Sequence, residues 1–137
     1  MYIPTTILTQ GGLWTAYTPA WSSSGTQPVL NNGVLVGSYV QIGQTIIARV
    51  NFVAGSSTTF GTGTWAFSLP LAENSTYGFA AVPGIAFDSS LGQIFICHWR
   101  ATNVLSNASP IVLFTPAVPF TWAQDDQLQL EVLYQSP

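Results

Sequence analysis

The segment from Thr45 to Val53 alternates between apolar and polar residues, and this two-residue period limits the folds open to the chain. The apolar members recur at every second position: Ile46, Ala48, Val50 and Phe52. Because successive side chains of a strand point to opposite faces, the pattern predicts a strand with one buried face. The short link Ile42-Gly43-Gln44-Thr45 joins it to the preceding run VLVGSYVQI. The two runs therefore predict an antiparallel hairpin.

Further short segments of the same kind follow along the chain. Strands are predicted around residues 14–18, 65–69, 77–82, 85–87, 93–100, 111–115 and 128–135, with turns rich in Gly, Pro and Asn between them. The Ser- and Gly-rich stretch from Trp21 to Pro28 is interpreted as a loop. No segment shows a helical period. The sequence thus predicts an all-β fold, a single antiparallel β-sandwich, jelly-roll-like, of about eight strands over residues 13–137.

The segment from Gln93 to Arg100 carries bulky apolar side chains on both of its faces. Phe95, Cys97 and Trp99 share one face, and Ile94, Ile96 and His98 share the other. A two-sheet sandwich buries only one face of each strand in its own core. We therefore expect the second face to lie at a subunit interface, with these residues in contact: Ile94, Ile96, His98 and Arg100.

Charge is nearly absent from the chain. Charged residues make up 5% of the sequence, against about 25% in typical domains, and the net charge is -3 without a single Lys. Nucleic acid and anionic membranes are excluded as expected partners, because binding them takes several Lys or Arg side chains. A surface so poor in charge is weakly protected against association, which favours a homo-oligomer or a larger assembly, most simply a trimer.

The first twelve residues, 1–12, end in Gly11-Gly12 and are interpreted as an N-terminal arm ahead of the domain. Ile3, Ile7 and Leu8 give this arm apolar side chains to bury, so we expect it to contact another protein subunit. The arm lacks the basic and long apolar regions of a signal peptide. No run of apolar residues reaches the roughly 18 that a membrane-spanning helix requires.

No catalytic constellation is found in the sequence. Cys97 and His98 are adjacent on a predicted strand, so they point to opposite faces and cannot form a dyad. Asp125, Asp126 and Glu131 offer carboxylates suited to Ca²⁺, but turn chemistry is the preferred interpretation. We expect a non-enzymatic protein without a cofactor or metal. A glycan ligand stays possible through exposed aromatic side chains, for which Trp21 beside its Ser-rich loop is the main candidate.

Three pieces of the chain, between Trp14 and Gln135, resemble structural domains of tailed phages, in particular those of actinobacteria. They are WTAYTPAW with the following NNGVLVGSYVQIGQTI, then GTGTWAFSLP, and finally PFTWAQDDQLQLEVLYQ. The last is similar to a Trp-x-x-Gly-Asp ending, with Asp125 in place of the Gly and Asp126 in the acid position. The resemblance implies a β-sandwich structural protein of the virion.

Domains of this group serve as capsid decoration proteins, minor tail proteins or tail-fibre tips. If the 137 residues are a full gene product, the short arm leaves no room for a fibre shaft. We then expect a decoration protein on the capsid surface, bound to the major capsid protein and stabilising the head, with Ile3, Ile7 and Leu8 of the arm in contact with the capsid. The alternative expectation is a tail-fibre or minor tail module that binds a host receptor or a glycan.

Overall fold

The computed structural model describes residues 12–76, 79–81, 83–100, 103–106 and 113–137, without the side chains of 79–81, 100 and 103–106. The predicted arm with Ile3, Ile7 and Leu8, and the side chain of Arg100, lie outside the described part. The described residues form ten strands: β1 (Thr15–Tyr17), β2 (Trp21–Ser23), β3 (Val34–Ile42), β4 (Thr45–Val53), β5 (Trp65–Phe67), β6 (Phe79–Ala81), β7 (Pro83–Asp88), β8 (Gln93–Arg100), β9 (Asn103–Ser106) and β10 (Gln127–Gln135). No helix occurs in these ranges, and hence none that is long and apolar enough to cross a bilayer.

All strand pairs are antiparallel, which confirms the all-β prediction. Neighbouring strands follow the order β1-β3-β4-β10-β7-β8-β9-β5-β2, and β6 also pairs with β10. The β2 end of this path lies over β4, because the ring centroid of Trp21 on β2 is 4.8 Å from that of Phe52 on β4. The sheet therefore folds over its own apolar face as a sandwich. The jelly-roll arrangement stays a prediction.

The β3–β4 hairpin is confirmed together with its register. Ile42 pairs with Thr45 and Val34 with Val53, so Gly43 and Gln44 form a two-residue turn. Gly43 has a φ of 60°, a conformation that glycine adopts without steric cost. Every apolar member of the alternation in β4 is buried, as predicted: Ile46, Ala48, Val50 and Phe52.

The strand β10 lies in the middle of the sheet. It pairs with β4 over its whole length, from Gln127 opposite Val53 to Gln135 opposite Thr45, and its other edge pairs with β6 and β7. Its inward side chains are buried, as the alternation predicts: Leu128, Leu130, Val132 and Tyr134. Burying each such side chain stabilises the fold by about 1.5–3 kcal/mol. Because β10 pairs on both of its edges, it links β4 to β6 and β7 within the sheet.

Two of the ten strands were not predicted. β2 was interpreted as part of a loop, but Trp21 pairs with Phe67 and Ser23 with Trp65 of β5. β9 pairs with β8 and with Ala66 of β5, and it was not recognised. These short strands complete the second layer. The strand expected at 111–115 lies partly outside the described residues, and Thr115 forms an isolated bridge with Val118.

The turn before β10 is built on two adjacent aspartates. The backbone of Asp125 has a φ of 68°, in the left-handed region that favours glycine, and this accounts for the Gly of the similar phage motif. The carboxylate of Asp126 is 1% exposed. It accepts hydrogen bonds from Ala123 N at 2.6 Å, Ser89 N at 2.9 Å and Ser89 Oγ at 3.0 Å. Asp126 thus ties the β7–β8 turn to the start of β10.

Candidate binding surface

The outward face of β8 lies where the sequence predicts it. Ile94 is 61% exposed and Ile96 is 45% exposed, whereas Cys97 and Trp99 on the opposite face are fully buried. His98 is half-buried beside them. The division of β8 into a core face and an apolar outward face is confirmed, but whether a partner subunit covers the outward face stays a prediction.

The strand β7 widens this apolar surface. Its Ile85 lies opposite Ile96 and its Phe87 opposite Ile94, and directly paired residues of antiparallel strands share a face. Ile85 and Phe87 are half-buried, and Leu91 in the following turn is 67% exposed. We call the four paired residues the outer strip: Ile85, Phe87, Ile94 and Ile96. Contiguous exposed apolar surface of this kind marks interaction sites.

A groove of about 570 Å³ lies next to the outer strip on the same face of the sheet. It crosses β3, β4, β10 and β7, and its lining falls into two rows set by the strand register. One row places Ser38, Arg49 and Glu131 side by side, and the other places Val36, Asn51, Gln129 and Ile85 side by side. The groove thus gathers polar side chains that come from distant parts of the sequence.

Arg49 and Glu131 form an ion pair within the groove. The distance from Arg49 Nε to Glu131 Oε2 is 3.0 Å, and the two side chains are 56% and 33% exposed. The guanidinium carbon of Arg49 also lies 4.5 Å from the ring centroid of Trp14. Such exposed pairs contribute at most about 1 kcal/mol to stability.

Several polar groups of the groove are not used by the fold. The side chains of Ser38 and Gln129 form no hydrogen bond with another described residue. The buried Oδ1 of Asn51 likewise meets no described donor. Leaving a buried acceptor without a partner costs free energy, and a hydrogen bond from a bound ligand or a water molecule would offset that cost. The groove therefore offers both donors and acceptors to a bound molecule.

Trp21 was predicted to be an exposed aromatic side chain, but the structure exposes Trp14 instead. Trp21 packs into the core, with its ring centroid 4.9 Å from that of Trp65 and 4.8 Å from that of Phe52. The prediction was wrong because Trp21 belongs to a strand and not to the Ser-rich loop. Trp14, on the outward side of the sheet, is 46% exposed.

The adjacent Cys97 and His98 lie on opposite faces of β8, as expected for neighbours in a strand. Burial raises the pKa of the Cys97 thiol to about 12, so the thiol is protonated at neutral pH and is a poor nucleophile. Of the carboxylates considered for a metal, Asp126 is engaged by backbone and hydroxyl donors and Glu131 by Arg49. Within the described residues no group of three or more His, Cys, Asp or Glu side chains converges.

One comparison with known proteins gives a functional link. The chain is 25% identical over 126 residues to the "Mu-like prophage FluMu defective tail fiber protein" of Haemophilus influenzae, an alignment that covers 87% of this chain and 20% of that protein. The chain thus spans about a fifth of the length of this relative. No family model matches the chain. No solved structure matches it either.

The likeness supports the broad class predicted from the sequence, a structural protein of a phage. It gives no support to the narrower resemblance to actinobacterial phages. It also favours the alternative expectation, a tail protein, over capsid decoration.

Proposed function

We propose that the chain is a non-enzymatic β-sandwich module of a phage tail fibre and that it contacts the surface of the host cell. The observation that carries this proposal is the similarity to a tail fibre protein over 87% of the chain. The exposed groove beside an apolar strip agrees with a binding module, since it supplies recognition groups without a catalytic constellation among the described residues.

Capsid decoration was the principal expectation from the sequence, and no observation favours it. It relied on the short arm, which was taken to leave no room for a fibre shaft. In the tail fibre relative, however, the similar region is a fifth of a much longer chain. A module of this size therefore fits within a long fibre, and the length of the arm does not speak against a tail location.

We further propose that the module is a homo-oligomer, most simply a trimer, with the outer strip at the contact between copies. The support is the exposure of Ile94 and Ile96 next to the half-buried Ile85 and Phe87. A chain without Lys has few charges to discourage association at such a surface. His98 lies at the end of the strip, opposite Pro83.

The location is tested by immunogold labelling of virions with an antibody raised against this chain. We expect gold on tail fibres and bare heads. Antibody absorbed with the purified protein serves as the control for unspecific labelling. Labelled heads with bare tails would overturn the tail proposal and favour decoration, whereas virions without any label would overturn a virion role altogether.

A further inference from the structure

We propose that the groove between β3 and β7 binds a neutral saccharide, with Arg49, Asn51, Gln129 and Glu131 as its hydrogen-bonding residues. The inference rests on the proposed function, because a module that faces the host meets surface glycans first. The groove itself is defined by the structure alone. Its position on the outward face keeps it separate from the aromatic core.

The hydrogen-bonding groups of the groove match those of a sugar. Each hydroxyl of a sugar both donates and accepts, so a site needs donors and acceptors within a few ångströms of each other. Arg49 supplies donors, the Glu131 carboxylate supplies acceptors, and the amides of Asn51 and Gln129 supply both. In the rows of the sheet these groups stand on adjacent strands, which are about 4.8 Å apart. That spacing is close to the width of one pyranose ring.

The size and the walls of the groove also suit a saccharide. Its volume of about 570 Å³ lies within the range of roughly 300–1,000 Å³ found for small-molecule sites. Val36, Pro83 and Ile85 line it alongside the polar groups. These side chains offer apolar surface to the C–H faces of a sugar, while the polar rows meet its hydroxyls.

Trp14 acts as a positioning residue. Its ring centroid lies 4.5 Å from the guanidinium carbon of Arg49. The Nε–H of Arg49 donates a hydrogen bond to Glu131 Oε2. The planar guanidinium is held from two sides, and its terminal nitrogens make no hydrogen bond with the described residues. Preorganised donors lose less entropy when a ligand binds.

The charge of the groove favours a neutral ligand. Among the described residues of its lining, Arg49 and Glu131 are the charged ones, and they neutralise each other. A phosphate or a carboxylate placed between the rows would meet the Glu131 carboxylate as well as Arg49. Ligands that carry several negative charges need more cations than this site holds.

The test starts with the wild-type protein on a printed array of bacterial surface oligosaccharides that includes neutral, uronic-acid and phosphorylated members. We expect binding to neutral members, whether they derive from lipopolysaccharide or from a Gram-positive wall, and the array distinguishes these two sources. An array without any bound glycan would overturn the proposal, and so would binding confined to acidic or phosphorylated glycans.

The site is then located with matched variants in calorimetric titrations against the best neutral oligosaccharide from the array. Gln129→Ala should raise Kd about tenfold, because it leaves a ligand hydroxyl without its partner. Gln127→Ala is the control, since Gln127 lies two residues away on the same face of β10 and does not line the groove. Equal affinities of the two variants would place the saccharide elsewhere.

Trp14→Leu gives an independent readout of positioning. We expect weaker binding of the saccharide with an unchanged urea midpoint, because Trp14 is exposed and lies outside the core. A parallel loss of stability would mean that Trp14 acts through the fold. Failure of these tests while gold still labels tail fibres would refute the groove and leave the proposed tail function intact.

Discussion

Replacing Asp126 by Asn is the sharpest test of how the turn before β10 is held. The substitution keeps the size of the side chain but exchanges one carboxylate oxygen for an NH₂ group. The two oxygens accept from backbone donors on both sides, Ala123 N and Ser89 N. Whichever way the amide is turned, one of these N–H groups faces another donor. The native arrangement cannot be reproduced by Asn.

The expected cost follows from the number of bonds affected. A hydrogen bond to a charged group contributes about 1.5–3 kcal/mol, and a buried N–H left without an acceptor costs about 1–3 kcal/mol. These contributions overlap, so we expect Asp126→Asn to lower the free energy of unfolding by about 2–4 kcal/mol. That is a large share of the 5–15 kcal/mol typical of a domain.

Urea unfolding followed by tryptophan fluorescence measures this difference. The matched control is Asp125→Asn, because Asp125 is exposed and Asn tolerates its φ of 68°. The control should stay within about 0.5 kcal/mol of the wild type, as surface substitutions usually do. If Asp126→Asn is no less stable than Asp125→Asn, the carboxylate does not hold the turn and the argument fails.

Three further predictions concern separate parts of the molecule. Ile96→Asp should weaken self-association tenfold or more, because burial of an Ile side chain is worth about 1.5–3 kcal/mol. Sedimentation measures this change, and the far-UV circular dichroism should stay the same. A wild-type protein that is monomeric at high micromolar concentration would refute the oligomer. The Cys97 thiol, whose pKa burial raises to about 12, should not react with a disulfide reagent at pH 8 until the protein is unfolded, and rapid reaction of the native protein would contradict its burial. The hydroxyl of Ser90, followed by the backbone N–H groups of Leu91 and Ser90, lowers the pKa of Asp88. Since the folded pKa lies below the unfolded one, the resulting stability is present above about pH 4 and is lost as the pH falls through the folded value. Ser90→Ala should therefore raise the pKa of Asp88 in an NMR titration, and an unmoved pKa would show that the hydroxyl is not the cause.

Much of the fold was predictable because its main signals are local. The alternation in β4, β8 and β10 identified the buried face of each strand, and the link at Gly43 identified the hairpin. β2 escaped prediction because three residues are too few to show a period. These three residues form a strand because they pair with β5, whose Phe67 lies opposite Trp21 and more than forty positions later in the sequence.

The groove could not be predicted in the same way. Its charged pair joins Arg49 and Glu131, which stand 82 positions apart in sequence. Each residue on its own is an ordinary outward residue of an amphipathic strand. What makes them neighbours is the register between β4 and β10, which is fixed by the burial of the opposite face. The exposure of Ile94 and Ile96 followed from β8 alone and was accessible from sequence.

The central place of β10 in the sheet has a consequence for folding during synthesis. β10 is the last of the described strands to leave the ribosome, yet β4, β6 and β7 all pair with it. Until it emerges, β4 and β7 each present an unpaired edge, and the core lacks the four inward side chains of β10. During synthesis the nascent chain therefore exposes unpaired strand edges, and these can pair with strands of other chains. Because charged side chains are nearly absent, the nascent chain has little protection against aggregation during that interval.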